Sequence, residues 1–272
     1  MSKKKPDPGK SILKALEAGD MEAMKAALQS GYDPDACTEE KGSGVTLLMR
    51  ACELGSLEAA KLLVEHGAST DKKSIFGNTA LTYAAGSGNI ELMRWLVSLG
   101  ADVRETDNYG YSVLLMAARS GSLECLKFCA GRGLDFREKG CNDITPLMVA
   151  GSIDVARYMV QEHGVNINDR SIGGGTALMY AASRNDPGLV GYLLEKGAEV
   201  DAREKDVTGS FGKTALHYAA DKGSLDIVRL LVEAGADRSI KAKYGETAMD
   251  FAVAGNHRDV IEYLLSVEGD GE

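Results

Sequence analysis

The chain is poor in rings. Of 272 residues only 6% are aromatic, with one tryptophan, while 44% are hydrophobic, so a sizeable core has to be built from aliphatic side chains and alanine. Cysteine is scarce as well: there are five, an odd number without a Cys-x-x-Cys pair, which argues against a disulfide framework and reads as free thiols in a reducing compartment. Four histidines form no cluster in the sequence, so neither metal ligation nor catalysis is expected of them. No apolar run approaches the roughly 18 residues that a membrane helix needs. The opening "MSKKKPDPGK" has the lysines of a signal sequence but runs into the charged, amphipathic "SILKALEAGDMEAMK", and reads as a basic tail before a soluble protein. Net positive charge is lacking too. The formal charge is -9, and the first ten residues carry four lysines against one aspartate, so the remainder stands near -12. A body that acidic disfavours phosphate backbones and anionic membrane surfaces.

What is present is self-similarity. "GNTALTYAAGSGNIELMRWLVSLGADV" (77–103) and "GKTALHYAADKGSLDIVRLLVEAGADR" (212–238) carry Thr, Leu, Ala-Ala, Gly and Gly-Ala at the same positions. The shared tetrapeptide starts at Thr46, Thr79, Ser112, Thr145, Thr176, Thr214 and Thr247, with successive spacings of 33, 33, 33, 31, 38 and 33. A period in that range marks a repeat architecture. Threonine before a short apolar run is a good N-cap, because its hydroxyl accepts a bond from an orphan backbone N–H, and Pro146 stands where a missing donor costs nothing. Nine residues on come Gly55, Gly88, Gly121 and Gly223, or Asn185 and Asn256, residue types that tolerate left-handed backbone at a helix end. Gly67, Gly100, Gly133, Gly164, Gly197 and Gly235 close the second helices by the same logic. Such helices are too short to persist alone, so stability must come from stacking repeat on repeat.

Through "TLLM", "TALT", "TPLM", "TALM", "TALH" and "TAMD", and through "HGAS", "LGAD", "KGAE" and "AGAD", the chain resembles the ankyrin repeat family over about residues 10–267. The resemblance implies an all-α solenoid of paired helices with short hairpin-like fingers and an extended concave face. The expected layout is a disordered basic tail at 1–9, an array of about eight repeats at 10–267 whose first and last members are caps, and an acidic tail at 268–272. His217 completes "TALH" and in the family is a structural hydrogen-bonding residue; elsewhere Met49, Met148 and Met179 stand at its position, which puts that hydrogen-bond network in question. Asn168 matches an asparagine that some asparaginyl hydroxylases modify, although its context "HGVNINDR" departs from the pattern.

Two irregularities stand out. From Thr145 to Ile153 the gap is 8 residues, where Thr79 to Ile90 spans 11. Nearly one helical turn is missing, and its loss is placed at the end of the first helix, with Gly151 and Ser152 as turn and N-cap. The repeat before it reads "FCAGRG", with Cys129 and Ala130 for larger aliphatics and Gly131 inside the helix, so residues 108–170 are expected to be softer than the rest. The spacing of 38 adds five residues to the finger "DAREKDVTGSFGKT", a cheap enlargement of a binding edge.

Chemistry finds little support. Gly212-Lys213-Thr214 ends like a phosphate-binding loop, but Val207 stands where the motif needs glycine and no buried strand precedes it. Cys125 and Cys129 share a helix face with no further ligand at usable spacing, and read as core thiols. No catalytic residue, cofactor or metal is expected, and no enzyme. The resemblance implies instead a scaffold or adaptor that binds a partner protein at the finger tips and the exposed ends of first helices. Carried over residue by residue, these positions are Phe76 and Asn78, then Asn108, Tyr109, Tyr111 and Arg119. Further along they are Asn142, Ile144, Arg184, Phe211, Lys213, Asp221, Lys222, Tyr244 and Glu246. Aromatics with arginine nearby are common interface anchors. The acidic body suits a partner with basic segments, not a nucleic acid or a membrane, and the array is expected to be a monomer when free, in the cytoplasm or nucleus. An alternative is an assembly chaperone or inhibitor masking a partner enzyme's surface; a nucleotide-binding enzyme is the third reading.

Overall fold

The computed structural model describes residues 8–38, 42–205 and 212–267. These residues divide between two compact units, 1–135 and 136–272. The described residues are helical, with isolated bridges Cys37–Thr46 and Thr106–Ser112 where fingers begin and end.

The first unit holds four helix pairs: α1 (Pro8–Ala18) with α2 (Met21–Gln29), α3 (Leu47–Glu53) with α4 (Leu57–Glu65), α5 (Ala80–Gly86) with α6 (Ile90–Ser98), and α7 (Val113–Ser120) with α8 (Leu123–Gly131). First helices α3, α5 and α7 pack in sequence, and second helices α2 and α4, then α6 and α8, pack beside them. Helix α1 begins at Pro8, inside the stretch assigned to the basic tail, because proline is at home at the first helical position. In the second unit α9 (Ile153–His163) is followed by α10 (Ala177–Ser183) with α11 (Pro187–Glu195), α12 (Ala215–Asp221) with α13 (Leu225–Glu233), and α14 (Ala248–Ala254) with α15 (Arg258–Ser266). The core is aliphatic and small, with alanines such as Ala84, Ala85, Ala219 and Ala220 fully buried where first helices touch.

The caps fall where the repeat places them. Thr46, Thr79, Ser112, Thr176, Thr214 and Thr247 are the N-caps of first helices. Asn185 and Asn256 have φ of 58° and 56°, as the glycines at that position do. In four repeats the histidine-like return bond is made with substitute acceptors, whereas the caps at Thr176 and Ser112 are the bonds accepted from Met179 N–H and Leu115 N–H. The N–H groups of Thr46 and Thr145 reach the Met49 and Met148 sulfurs at 3.5 Å, Thr79 N–H reaches Thr82 Oγ1, and Thr247 N–H reaches an Asp250 carboxylate oxygen. Only His217 supplies an imidazole, accepting the Thr214 N–H on Nδ1 at 3.1 Å.

The shortened repeat departs further from expectation than a clipped helix. Residues 146–149 form a single turn and no α-helix, closed by Met148 N–H to Thr145 O and Ala150 N–H to Leu147 O. With so few residues before Ser152, which caps α9 through Val155 N–H, the cost of nucleating a helix is not repaid by propagation. The two carbonyls left at its end are taken by the Arg184 guanidinium, which donates to Met148 O at 3.0 Å and to Ala150 O at 2.9 Å.

Gly131 ends α8, and a Cβ there would meet nothing within 4 Å. Gly131→Ala is therefore expected to raise stability by about 0.5 kcal/mol, by lowering the entropy of the unfolded chain. A higher urea midpoint together with slower amide exchange in α8 would bear this out; an unchanged midpoint would remove the glycine as a source of softness.

Candidate functional site

Fingers in each unit are tied to their neighbours by backbone hydrogen bonds. In the first unit Ile75 N–H donates to Ser43 O at 2.9 Å and Asn108 N–H to Phe76 O at 2.8 Å, while Asn108 Nδ2 donates to Ile75 O at 2.9 Å. Gly77 is required here, since a Cβ would lie 2.6 Å from Asn108 Oδ1. The bonds fix Ile75, Phe76 and Tyr109 outward, at 57%, 43% and 51% exposure, with the Phe76 and Tyr109 rings 6.2 Å apart. Asn78 and Tyr111 are half-buried beneath them, Asn78 N–H on Ser74 Oγ and Tyr111 N–H on Asp107 Oδ1. Arg119 is exposed on the last turn of α7.

In the second unit Asn142 sits exposed with φ 58°, its carbonyl accepting Ile172 N–H at 2.8 Å. Ile144 is buried at 9% exposure, contrary to its expected place on the contact edge: as an apolar side chain at a finger base it folds under. Arg184 is occupied by the Met148 and Ala150 carbonyls, so its guanidinium serves the truncated repeat. Phe211 lies outside the described residues. Gly173 O accepts Lys205 N–H at 2.8 Å, and Arg203 Nη2 donates to Lys241 O at 2.7 Å, joining the last two fingers. Tyr244 is the most open large hydrophobic side chain described, at 79%. Glu246 is half-buried and accepts the Tyr244 N–H. Asp221 and Lys222 are exposed at the end of α12, with the Asp221 carbonyl 3.0 Å from His257 Nε2.

Lys213 places its ammonium 4.4 Å from the Phe251 ring centroid and 5.4 Å from that of Tyr218. This is a cation–π seat, and the Gly212-Lys213-Thr214 segment caps the seven-residue α12. Tyr218 donates to Glu204 Oε1 at 2.6 Å. Burial pushes the phenol pKa up, and the bond to Glu204 adds to it. Burial also raises the Glu204 carboxyl, a shift the Tyr218 bond partly offsets. Among the described residues no group of three His, Cys, Asp or Glu could hold a metal ion, and no helix is long and apolar enough to cross a membrane.

Sequence reasoning passed over Ile75 and Ile172, exposed at 57% and 51%. Each stands four residues before a capping threonine, a register that would have singled them out. It also passed over the cations Arg203, Lys205, Lys241 and Lys243, hidden by the acidity of the whole.

His217 is 1% exposed, and burial holds its pKa below the ordinary value, with smaller contributions from the Lys213 and Arg203 charges; nearby backbone carbonyls of Glu246 and Ile240 oppose the shift. The unfolded chain takes up this proton near pH 6.5, the folded chain only lower. Stability is thus complete above about pH 6.5 and falls as pH drops from there to the folded value. The wild type should progressively lose its stability advantage over His217→Gln as pH falls below about 6.5, read from urea midpoints; a constant difference would contradict the neutral, buried imidazole.

These are stacked helix pairs with projecting fingers, the geometry of a helical repeat array. A family model for ankyrin repeats, three copies in length, matches residues 12–107, 88–171, 114–204 and 178–271, and the chain belongs to the ankyrin repeat family. It is 34% identical over 123 residues, 45% of its own length, to mouse (Mus musculus) BCL-6 corepressor-like protein 1. It is 38% identical over 72 residues, 26% of its length, to zebrafish (Danio rerio) ankyrin repeat and SAM domain-containing protein 6. The matched stretches cover 7% and 10% of those relatives, so the chain spans only a small part of their length.

Proposed function

We propose that the array is a scaffold or adaptor which binds a partner protein through its finger tips and the exposed ends of its first helices. Ankyrin repeats are in general protein-interaction modules, and the observation that carries the finer reading is the open apolar group Ile75, Phe76 and Tyr109. Exposed rings with an exposed aliphatic beside them are the composition of interface anchors. Because finger backbones are already hydrogen-bonded to one another, little further ordering is needed when a partner docks, which favours affinity. Masking of a partner enzyme's surface would use the same residues and is a special case of the same reading.

The test is affinity capture from source lysate with the wild type and with a Phe76→Ala/Tyr109→Ala/Tyr244→Ala variant of matched melting temperature. Loss of the captured proteins from the variant supports the assignment. Retention of all of them refutes these fingers as the contact edge.

A further inference from the structure

Gly44, Gly77 and Gly174 each stand two residues before a capping threonine and make room for the next finger. A Cβ at Gly44 would lie 3.1 Å from the Ile75 nitrogen, at Gly77 2.8 Å from that of Asn108, and at Gly174 2.8 Å from that of Lys205. In all three cases that nitrogen donates to the carbonyl of the residue before the glycine: Ile75 N–H to Ser43 O, Asn108 N–H to Phe76 O and Lys205 N–H to Gly173 O. Where both fingers have a ring, a second contact follows, Tyr109 setting its ring 6.2 Å from that of Phe76. The step from finger to finger is thus one backbone bond over a glycine, with an aromatic pair beside it.

The finger at 242–247 presents the same features to no described neighbour. Gly245 stands two residues before Thr247 with φ of 93°, and nothing lies within 4 Å of its Cβ position. Among the described residues no group donates to the Tyr244 carbonyl, and the Tyr244 side chain is 79% exposed. The finger holds its own shape from within: Ala242 N–H donates to Glu246 O, Gly245 N–H to Ala242 O, and Tyr244 N–H to the Glu246 carboxylate.

We propose that this edge docks a tight-turn segment of a partner protein shaped like one of the chain's own finger tips. Such a segment donates a backbone N–H to Tyr244 O over Gly245 and lays the aromatic side chain of its next residue against the Tyr244 ring. The proposal rests on the reading of the fingers as a partner surface and specifies what the last of them takes. The occupant is argued from the finger row itself, because Asn108 and Tyr109 fill the equivalent place over Phe76 and Gly77. Adding a segment to an open backbone edge draws affinity from main-chain bonds and specificity from the side chains beside them, and a pair of rings supplies the second. The pairing joins a backbone donor, a backbone acceptor and two rings, so it needs no ion pair with the partner.

The probe is a cyclised peptide copying Arg104–Ser112, added to the isotope-labelled full chain and followed by amide NMR. The Tyr244, Gly245 and Glu246 amides should shift. Affinity should fall by about tenfold when an ester replaces the Asp107–Asn108 amide of the peptide, which removes the donor, or when the peptide carries Tyr109→Ala. On the protein side Gly245→Ala puts a methyl group where the incoming N–H must pass, and Tyr244→Ala removes the ring; each should weaken binding to the same degree. Phe76→Ala/Tyr109→Ala in the first unit should leave it unchanged. No shift, shifts confined to other residues, or undiminished binding of either altered peptide or of Gly245→Ala overturns the proposal. So does a mass by light scattering that grows with protein concentration and no longer grows in Gly245→Ala, which would give the edge to a second copy of the chain. If lysate partners are lost from Phe76→Ala/Tyr109→Ala but kept by Gly245→Ala, the fingers remain a partner surface and only this edge falls.

Discussion

Gly174→Ala is expected to destabilise the second unit by about 2–3 kcal/mol, from left-handed backbone strain and a displaced hydrogen bond together. Gly174 has φ of 78°, and a Cβ would lie 2.8 Å from the Lys205 amide nitrogen. That nitrogen donates to the Gly173 carbonyl, so the methyl group must push apart the bond that ties one finger to the next. Gly245 separates the two costs, because its φ is 93° but nothing lies within 4 Å of its Cβ position. Gly245→Ala should cost only the backbone strain, about 1 kcal/mol. Urea denaturation of the two variants side by side checks the difference; equal losses would mean that the contact between fingers carries no stability.

Arg184→Ala is expected to cost about 2 kcal/mol, in the range for hydrogen bonds made by a charged group. The carbonyls of Met148 and Ala150, whose side chains are buried, would lose the donors that stand in for the missing helical turn. Arg184→Lys should not restore the loss, since an ammonium does not offer two donors in a planar fork. A urea midpoint unchanged in the alanine variant, or recovered in the lysine variant, would show that the truncated repeat holds itself together without the guanidinium.

Arg184 also shows how far the sequence could be read. The repeat, its caps and its left-handed termini are local properties: Thr214 caps α12 because of what lies within three residues of it, and Asn185 takes positive φ because of where it stands in one helix. The missing turn at 145–152 was visible as a gap in spacing. What fills it was not, because the donor comes from the following repeat, 34 to 36 residues away. The same position therefore reads as a surface arginine in one dimension and as a strut in three. Ile144 illustrates the converse: the register that places Phe76 and Tyr109 outward says nothing of an aliphatic at the base, and it buries.

The capping acceptors differ from repeat to repeat: sulfur at Met49 and Met148, hydroxyl at Thr82, imidazole at His217 and carboxylate at Asp250. Each responds to a different chemical insult. Peroxide addresses the thioether rungs, mild acid the imidazole rung and stronger acid the carboxylate rung, while the hydroxyl rung is indifferent to all three. In an array whose cohesion is a sum of nearest-neighbour couplings, such damage would begin at a rung chosen by the reagent and spread outward from it. The route by which this protein comes apart therefore depends on what attacks it.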